Sequence, residues 1–105
     1  PKRKTFPITD LYQDEDGKQI IEMALAGYSK DSITIEVKSN QITISSSGIK
    51  TDRESNIARR GFQKTFVDYN NEMDLTKAKA SFTQGLLKIV ISPKPSYKQT
   101  LINIE

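Results

Sequence analysis

The sequence predicts an all-β domain, an antiparallel sandwich of two sheets with about seven to eight strands. Three observations carry that prediction. Apolar residues recur at every second position rather than every 3.6. Turn residues separate the alternating runs, and no segment shows an amphipathic helical stripe. A period of two sends successive side chains to opposite faces, so each run buries one face and wets the other.

Ile8 to Tyr12 reads as the first strand, closed by the turn Asp14-Glu15-Asp16-Gly17. Ile21, Met23 and Leu25 alternate with polar or small residues in a second strand that ends at Ala26-Gly27. Ile33, Ile35 and Val37 form a third, and Ser39-Asn40 turns tightly into a fourth at Ile42 and Ile44. Phe62 and Phe66, four apart, face one side of a fifth. Asn70-Asn71-Glu72 then interrupts the chain, and Leu75 to Ala80 supports a short turn at most. Ala78, Ala80 and Phe82 alternate in the next strand. Gln84-Gly85 links it to Leu87, Ile89 and Ile91, with glycine supplying a backbone conformation other residues resist. Ser45 to Asn56 reads as the one long non-strand stretch, polar apart from Ile49; its period favours a loop over an arm reaching a partner.

The composition narrows function by exclusion. A chain of 105 residues, 35% of them hydrophobic, fits one domain with one modest core. Cysteine and histidine are both absent, which removes disulfides, thiol nucleophiles, Ser-His-Asp triads and histidine metal sites. Neither an enzyme nor a cofactor is expected. The carboxylates nearest to a catalytic pair, Asp68 and Glu72, fall on a loop. No run approaches the roughly 20 apolar residues of a membrane span, and no signal-peptide core is visible at the N-terminus. Pro1 is not an initiator, consistent with a piece of a longer protein. The net charge of +3 owes much to Lys2-Arg3-Lys4 in a terminal arm. Arg59-Arg60 is the other basic cluster; without a Gly-rich loop or an RNA-binding aromatic motif it reads as solvated surface, not a nucleic-acid site.

Beyond Ile91 the chain is polar, stiffened by Pro93 and Pro95, and carries the pair Ile102-Asn103-Ile104. Isoleucines two apart point to one side of an extended segment. The prolines lack backbone donors and resist continuing the preceding strand, which favours an outbound tail over a further core strand. From Ser92 to Ile104 such a tail reaches at most about 40 Å.

Taken in order, these segments resemble the small heat-shock proteins through their α-crystallin domain, an immunoglobulin-like β-sandwich. The resemblance runs from about Phe6 to Ile104. Phe6-Pro7-Ile8-Thr9-Asp10-Leu11-Tyr12 is similar to the family's aromatic-proline entry, and Leu25-Ala26-Gly27-Tyr28 to its Ala-Gly-Phe turn. Asp31 to Val37 and Gln41 to Ile44 resemble its next hairpin. Ala80 to Ile91 fits A-x-x-x-x-G-x-L-x-I-x-I, the most specific motif present, and Ile102-Asn103-Ile104 resembles the I-x-I motif. Ile57 to Phe66 most resembles the bacterial inclusion-body-binding class.

The resemblance implies a cytoplasmic, ATP-independent holdase that binds partly unfolded clients and assembles through homodimers into higher oligomers. It divides the chain into a residual N-terminal arm over 1–5, the α-crystallin domain over 6–92 and a C-terminal extension over 93–105. It implies that Ile102 and Ile104 dock in a neighbour's groove lined by Ile33, Ile35, Val37, Ala78, Ala80 and Phe82. Ile49, Arg59, Arg60 and Lys64 become dimer-interface candidates, because in the bacterial type the intervening loop carries a strand that crosses to the partner. Three departures stand out. Lys64 occupies the usual arginine of F-x-R-x-F and lacks its planar fork. The loop Ile49 to Asn56 is short and lacks aromatic residues, and the apolar N-terminal arm is nearly missing. The competing expectation is a non-oligomerising, p23-like co-chaperone sandwich that binds one folded partner.

Overall fold

The computed structural model describes residues 6–48, 61–95, 102 and 104. Among these, seven strands follow in order: β1 (Thr9–Gln13), β2 (Gln19–Ala24), β3 (Thr34–Lys38), β4 (Gln41–Ser46), β5 (Phe62–Val67), β6 (Lys79–Thr83) and β7 (Leu86–Ile91). All pairings are antiparallel. One sheet has the order β1-β2-β7-β6 and the other β3-β4-β5. The expected two-sheet, all-β sandwich is therefore the fold.

The alternating residues meet face to face in the core. Ile21 and Met23 of β2 lie opposite Ile89 and Leu87 of β7, and across the sandwich β4 contributes Ile42 and Ile44. These six side chains are at most 3% exposed. Tyr28 packs edge-on against Phe62 at 5.8 Å, and Phe6 does the same at 6.1 Å, which fastens the chain's entry to β5. Ile20 lies on the opposite face of β2 from Ile21 yet is only 6% exposed, with Tyr12 and Val90 as its cross-strand partners. Cross-strand apolar pairs shelter such a residue without a second sheet.

Turn chemistry sets the registers. Two-residue hairpins favour positive φ, and Ser39 (φ 56) begins the β3–β4 turn while Gln84 (φ 51) and Gly85 (φ 78) make the β6–β7 turn. In the β1–β2 loop the Asp14 carboxylate accepts backbone N–H bonds from Asp16 and Lys18, both at 2.9 Å. Leu75–Lys77 forms one 3-10 turn, as the sequence allowed.

Boundaries differ from expectation: Ile8, Leu25, Ile33 and Ala78 each fall one residue outside β1, β2, β3 and β6, and β4 runs longer. The stretch expected to leave the sheet at Ser45 stays in β4 through Ser46, because Ser45 and Ser46 pair with Gln63 and Phe62. Backbone pairing satisfies both polar ends there, and Ser46 is buried with its hydroxyl accepting the Gly48 N–H at 3.1 Å. Residues 49–60, with Ile49, Arg59 and Arg60, lie outside the described residues.

Ser92 to Lys94 are tied back to the segment Glu72 to Asp74. Asp74 N–H donates to Ser92 O (2.9 Å), Lys94 N–H donates to Glu72 O (2.8 Å), and Met73 and Pro93 form an antiparallel bridge. Lys94 thus supplies the donor that neither flanking proline has. Asp68 holds the receiving loop, its Oδ2 accepting Met73 N–H at 2.8 Å. Asp68→Ala leaves that donor unpaired, a loss of about 1–2 kcal/mol. A melting temperature lowered by about 5–10 °C is the expected result in a thermal unfolding scan.

Candidate docking groove

Among the described residues, two unclosed sheets leave two pairs of edges. β3 and β6 form one side of the sandwich, and β1 and β5 the other. An edge strand presents unpaired N–H and C=O groups that can accept another extended chain. Between β3 and β6 lies a pocket of about 250 Å³ lined by Lys30, Ile33, Ile35, Ala80, Ser81, Phe82 and Leu87. It is below the usual 300–1,000 Å³ of small-molecule sites, a size suited to a few side chains.

Four of the six residues expected to line a groove meet here: Ile33, Ile35, Ala80 and Phe82. Val37 and Ala78 pack against the core cluster and do not line the pocket. Leu87, Ser81 and Lys30 complete it. Leu87 was findable from the hairpin, since the Gln84-Gly85 turn places it opposite Phe82. Lys30 was not. It sits in a 3-10 turn, Lys30–Ser32, whose placement at the pocket rim depends on how the two sheets stack. Ile102 and Ile104 form an exposed apolar pair, at 88% and 99%.

The opposite side holds a larger cleft of about 350 Å³. Leu11, Ile42, Phe66 and Met73 contribute apolar walls, and Gln13, Asp68 and Glu72 a polar margin. Leu11 faces the core side of β1 opposite Ile21 but remains 57% exposed, because β1 is an edge. Lys64 points the same way as Phe62 and Phe66, half-buried, with Nζ 3.4 Å from Thr9 Oγ1 on β1. No ion pair joins Lys64 to a carboxylate among the described residues. On β1, a hydrogen bond with Glu22 raises the pKa of the Tyr12 phenol, assisted by desolvation and nearby carboxylates.

Among the described residues no group of three or more acidic side chains is placed to hold a metal ion, and no helix is long and apolar enough to cross a membrane. Asp68 and Glu72 both line the larger cleft, and Asp68 Oδ2 accepts the Met73 N–H.

Residues 11–105 match the model of the Hsp20/alpha crystallin family. The chain belongs to that family. Small heat shock proteins are chaperones in general. The chain is 35% identical over 89 residues to the small heat shock protein HspD of Bradyrhizobium diazoefficiens, an alignment covering 80% of this chain and 56% of that protein. It thus spans little more than half the length of this relative. Among solved structures, a small heat-shock protein from Xylella fastidiosa superposes with a TM-score of 0.72 at 21% identity, over 98% of this chain and 99% of that one. A small heat shock protein from Synechococcus phage S-ShM2 gives 0.65 at 27% identity, over 96% and 100%. The sandwich is the fold these proteins share.

Proposed function

We propose that this chain is an ATP-independent holdase that binds partly unfolded proteins and assembles through homodimers into larger oligomers by tail docking. The observation that carries the reading is the match between an apolar pocket at open strand edges and an apolar pair left exposed. Ile33, Ile35, Ala80, Phe82 and Leu87 offer the pocket, while Ile102 and Ile104 stand in water. Burying two isoleucines contributes about 3–6 kcal/mol. Ordering several tail residues costs a comparable amount, so one docked tail is weakly held. Linked copies dock at high local concentration, which makes weak contacts effective and keeps the assembly labile. A labile assembly is what a reserve of client-binding edges and apolar surface requires. The clip at Met73 and Pro93 gives the tail a fixed point of departure from the domain.

The test is suppression of aggregation of a thermally unfolding client, followed by light scattering with the full chain and no nucleotide. The expected result is scattering held near baseline at equimolar chain, unchanged by added ATP. Undiminished scattering overturns the holdase reading. A chain that sediments as a monomer and captures one folded partner would support the p23-like reading instead.

A further inference from the structure

We propose that Lys30 reads Glu105, the acidic residue that follows the isoleucine pair, and so fixes the direction in which a tail from a second copy lies in the β3–β6 groove. This rests on the docking reading above and adds to it a polarity and a residue that sets it.

Lys30 is exposed and, among the described residues, is the one charged residue lining the pocket. Its backbone is held in place: Ile33 N–H donates to Lys30 O at 3.2 Å, and Ser32 N–H to Ser29 O at 3.0 Å. No ion pair joins Lys30 to a carboxylate among the described residues, where the single pair is Lys77 with Asp74. A cation so placed at an apolar mouth favours a ligand that brings an acid to that end. Leu101-Ile102-Asn103-Ile104-Glu105 has one charged side chain, that of Glu105, and the nearest cation upstream is Lys98.

Spacing turns this complementarity into a direction. Ile102 and Ile104 are two apart, as are Ile33 and Ile35, so an extended tail matches the β3 side of the groove in either direction. Running antiparallel to β3, it sets Ile104 beside Ile33 and leaves Glu105 at the Lys30 end. Running parallel, it sets Ile102 beside Ile33 and turns the Lys98 end toward Lys30. The first arrangement attracts and the second repels. Alternation sends the Glu105 side chain outward while both isoleucines point in, and the flexible four-carbon stem of Lys30 reaches over the rim to meet it.

An exposed ion pair changes a binding constant by up to about five-fold, and two tails docking from one dimer compound the factor. The experiment uses the full chain with Lys30→Glu, Glu105→Lys and the two together, measuring oligomer dissociation by sedimentation at low and high salt. Each single change is expected to weaken assembly several-fold at low salt, and the double change to restore it to near the starting value, with the differences fading as salt rises. Lys30→Arg keeps the charge and should leave assembly unchanged. Since the chain has no cysteine, direction is read separately. Ser32→Cys with Glu105→Cys, which the antiparallel register sets side by side, should give an inter-subunit disulfide under mild oxidation, and Ser32→Cys with Leu101→Cys should not. Single charge variants without effect, a double variant that fails to recover, or cross-linking through position 101 instead overturns the proposal. Ile102→Ala with Ile104→Ala is the control. If it leaves assembly intact, the docking reading itself falls; if it abolishes assembly while the charge variants do nothing, only the Lys30 assignment falls.

Discussion

Gly85→Ala is expected to lower the melting temperature by about 10–20 °C, corresponding to about 2–3 kcal/mol for a domain of this size. Two separate penalties combine. Gly85 has φ +78, where an L side chain costs roughly 1–2 kcal/mol. An added Cβ would also lie 2.9 Å from Ala26 Cα, a backbone atom that cannot swing aside. Nor can the hairpin retreat freely, because Leu25 N–H donates to Gly85 O at 2.7 Å. Gly17 separates the terms, since its φ is +82 but a Cβ there would meet nothing closer than 3.9 Å. Gly17→Ala should therefore show the conformational penalty alone, about half the shift. Equal shifts for the two variants in a calorimetric scan would remove the steric half of the explanation.

Gly85 also shows what could and could not be read from the chain. The Ala80-to-Ile91 motif and the Leu25-Ala26-Gly27-Tyr28 turn are distant in sequence, and each alone is an ordinary hairpin or turn. Their contact through Gly85 and Ala26 is a tertiary fact, although the glycine that permits it is visible as a letter. Alternation correctly assigned Ile21, Met23, Ile42, Ile44, Leu87 and Ile89 to one core, because a two-residue period follows directly from strand geometry. It failed where burial comes from neighbours rather than from period. Ile20 is sheltered by Tyr12 and Val90 on the outer face, and Ser46 stays in the sheet because Phe62 pairs with it. The groove was legible in part for the same reason. Ile33, Ile35, Ala80 and Phe82 follow the two-residue alternation, Ile33 just ahead of β3, whereas Lys30 reaches the rim only through the stacking of two sheets. Which strands become edges is likewise a property of topology, so the exposure of Leu11 carried no sequence signal.

Ala80→Phe tests docking from the receiving side, and the expected result is an assembly reduced to its smallest unit. Ala80 pairs with the buried Ile89, yet its own side chain is exposed because β3 and β6 stand apart at the pocket. A phenyl ring there fills space that Ile102 or Ile104 of another copy would occupy, removing most of the roughly 3–6 kcal/mol that two buried isoleucines contribute. The domain should tolerate the change. The ring extends into the mouth of the pocket rather than into the packed core, so the melting temperature should move by no more than about 4 °C. Combining Ala80→Phe with Ile102→Ala and Ile104→Ala should then weaken assembly no further than either alone, because groove and tail report one interaction. Additive losses in sedimentation would mean that the groove and the tail serve separate contacts. An Ala80→Phe chain that still assembles fully would place the isoleucine pair elsewhere, with the Leu11–Phe66 cleft as the next surface to block.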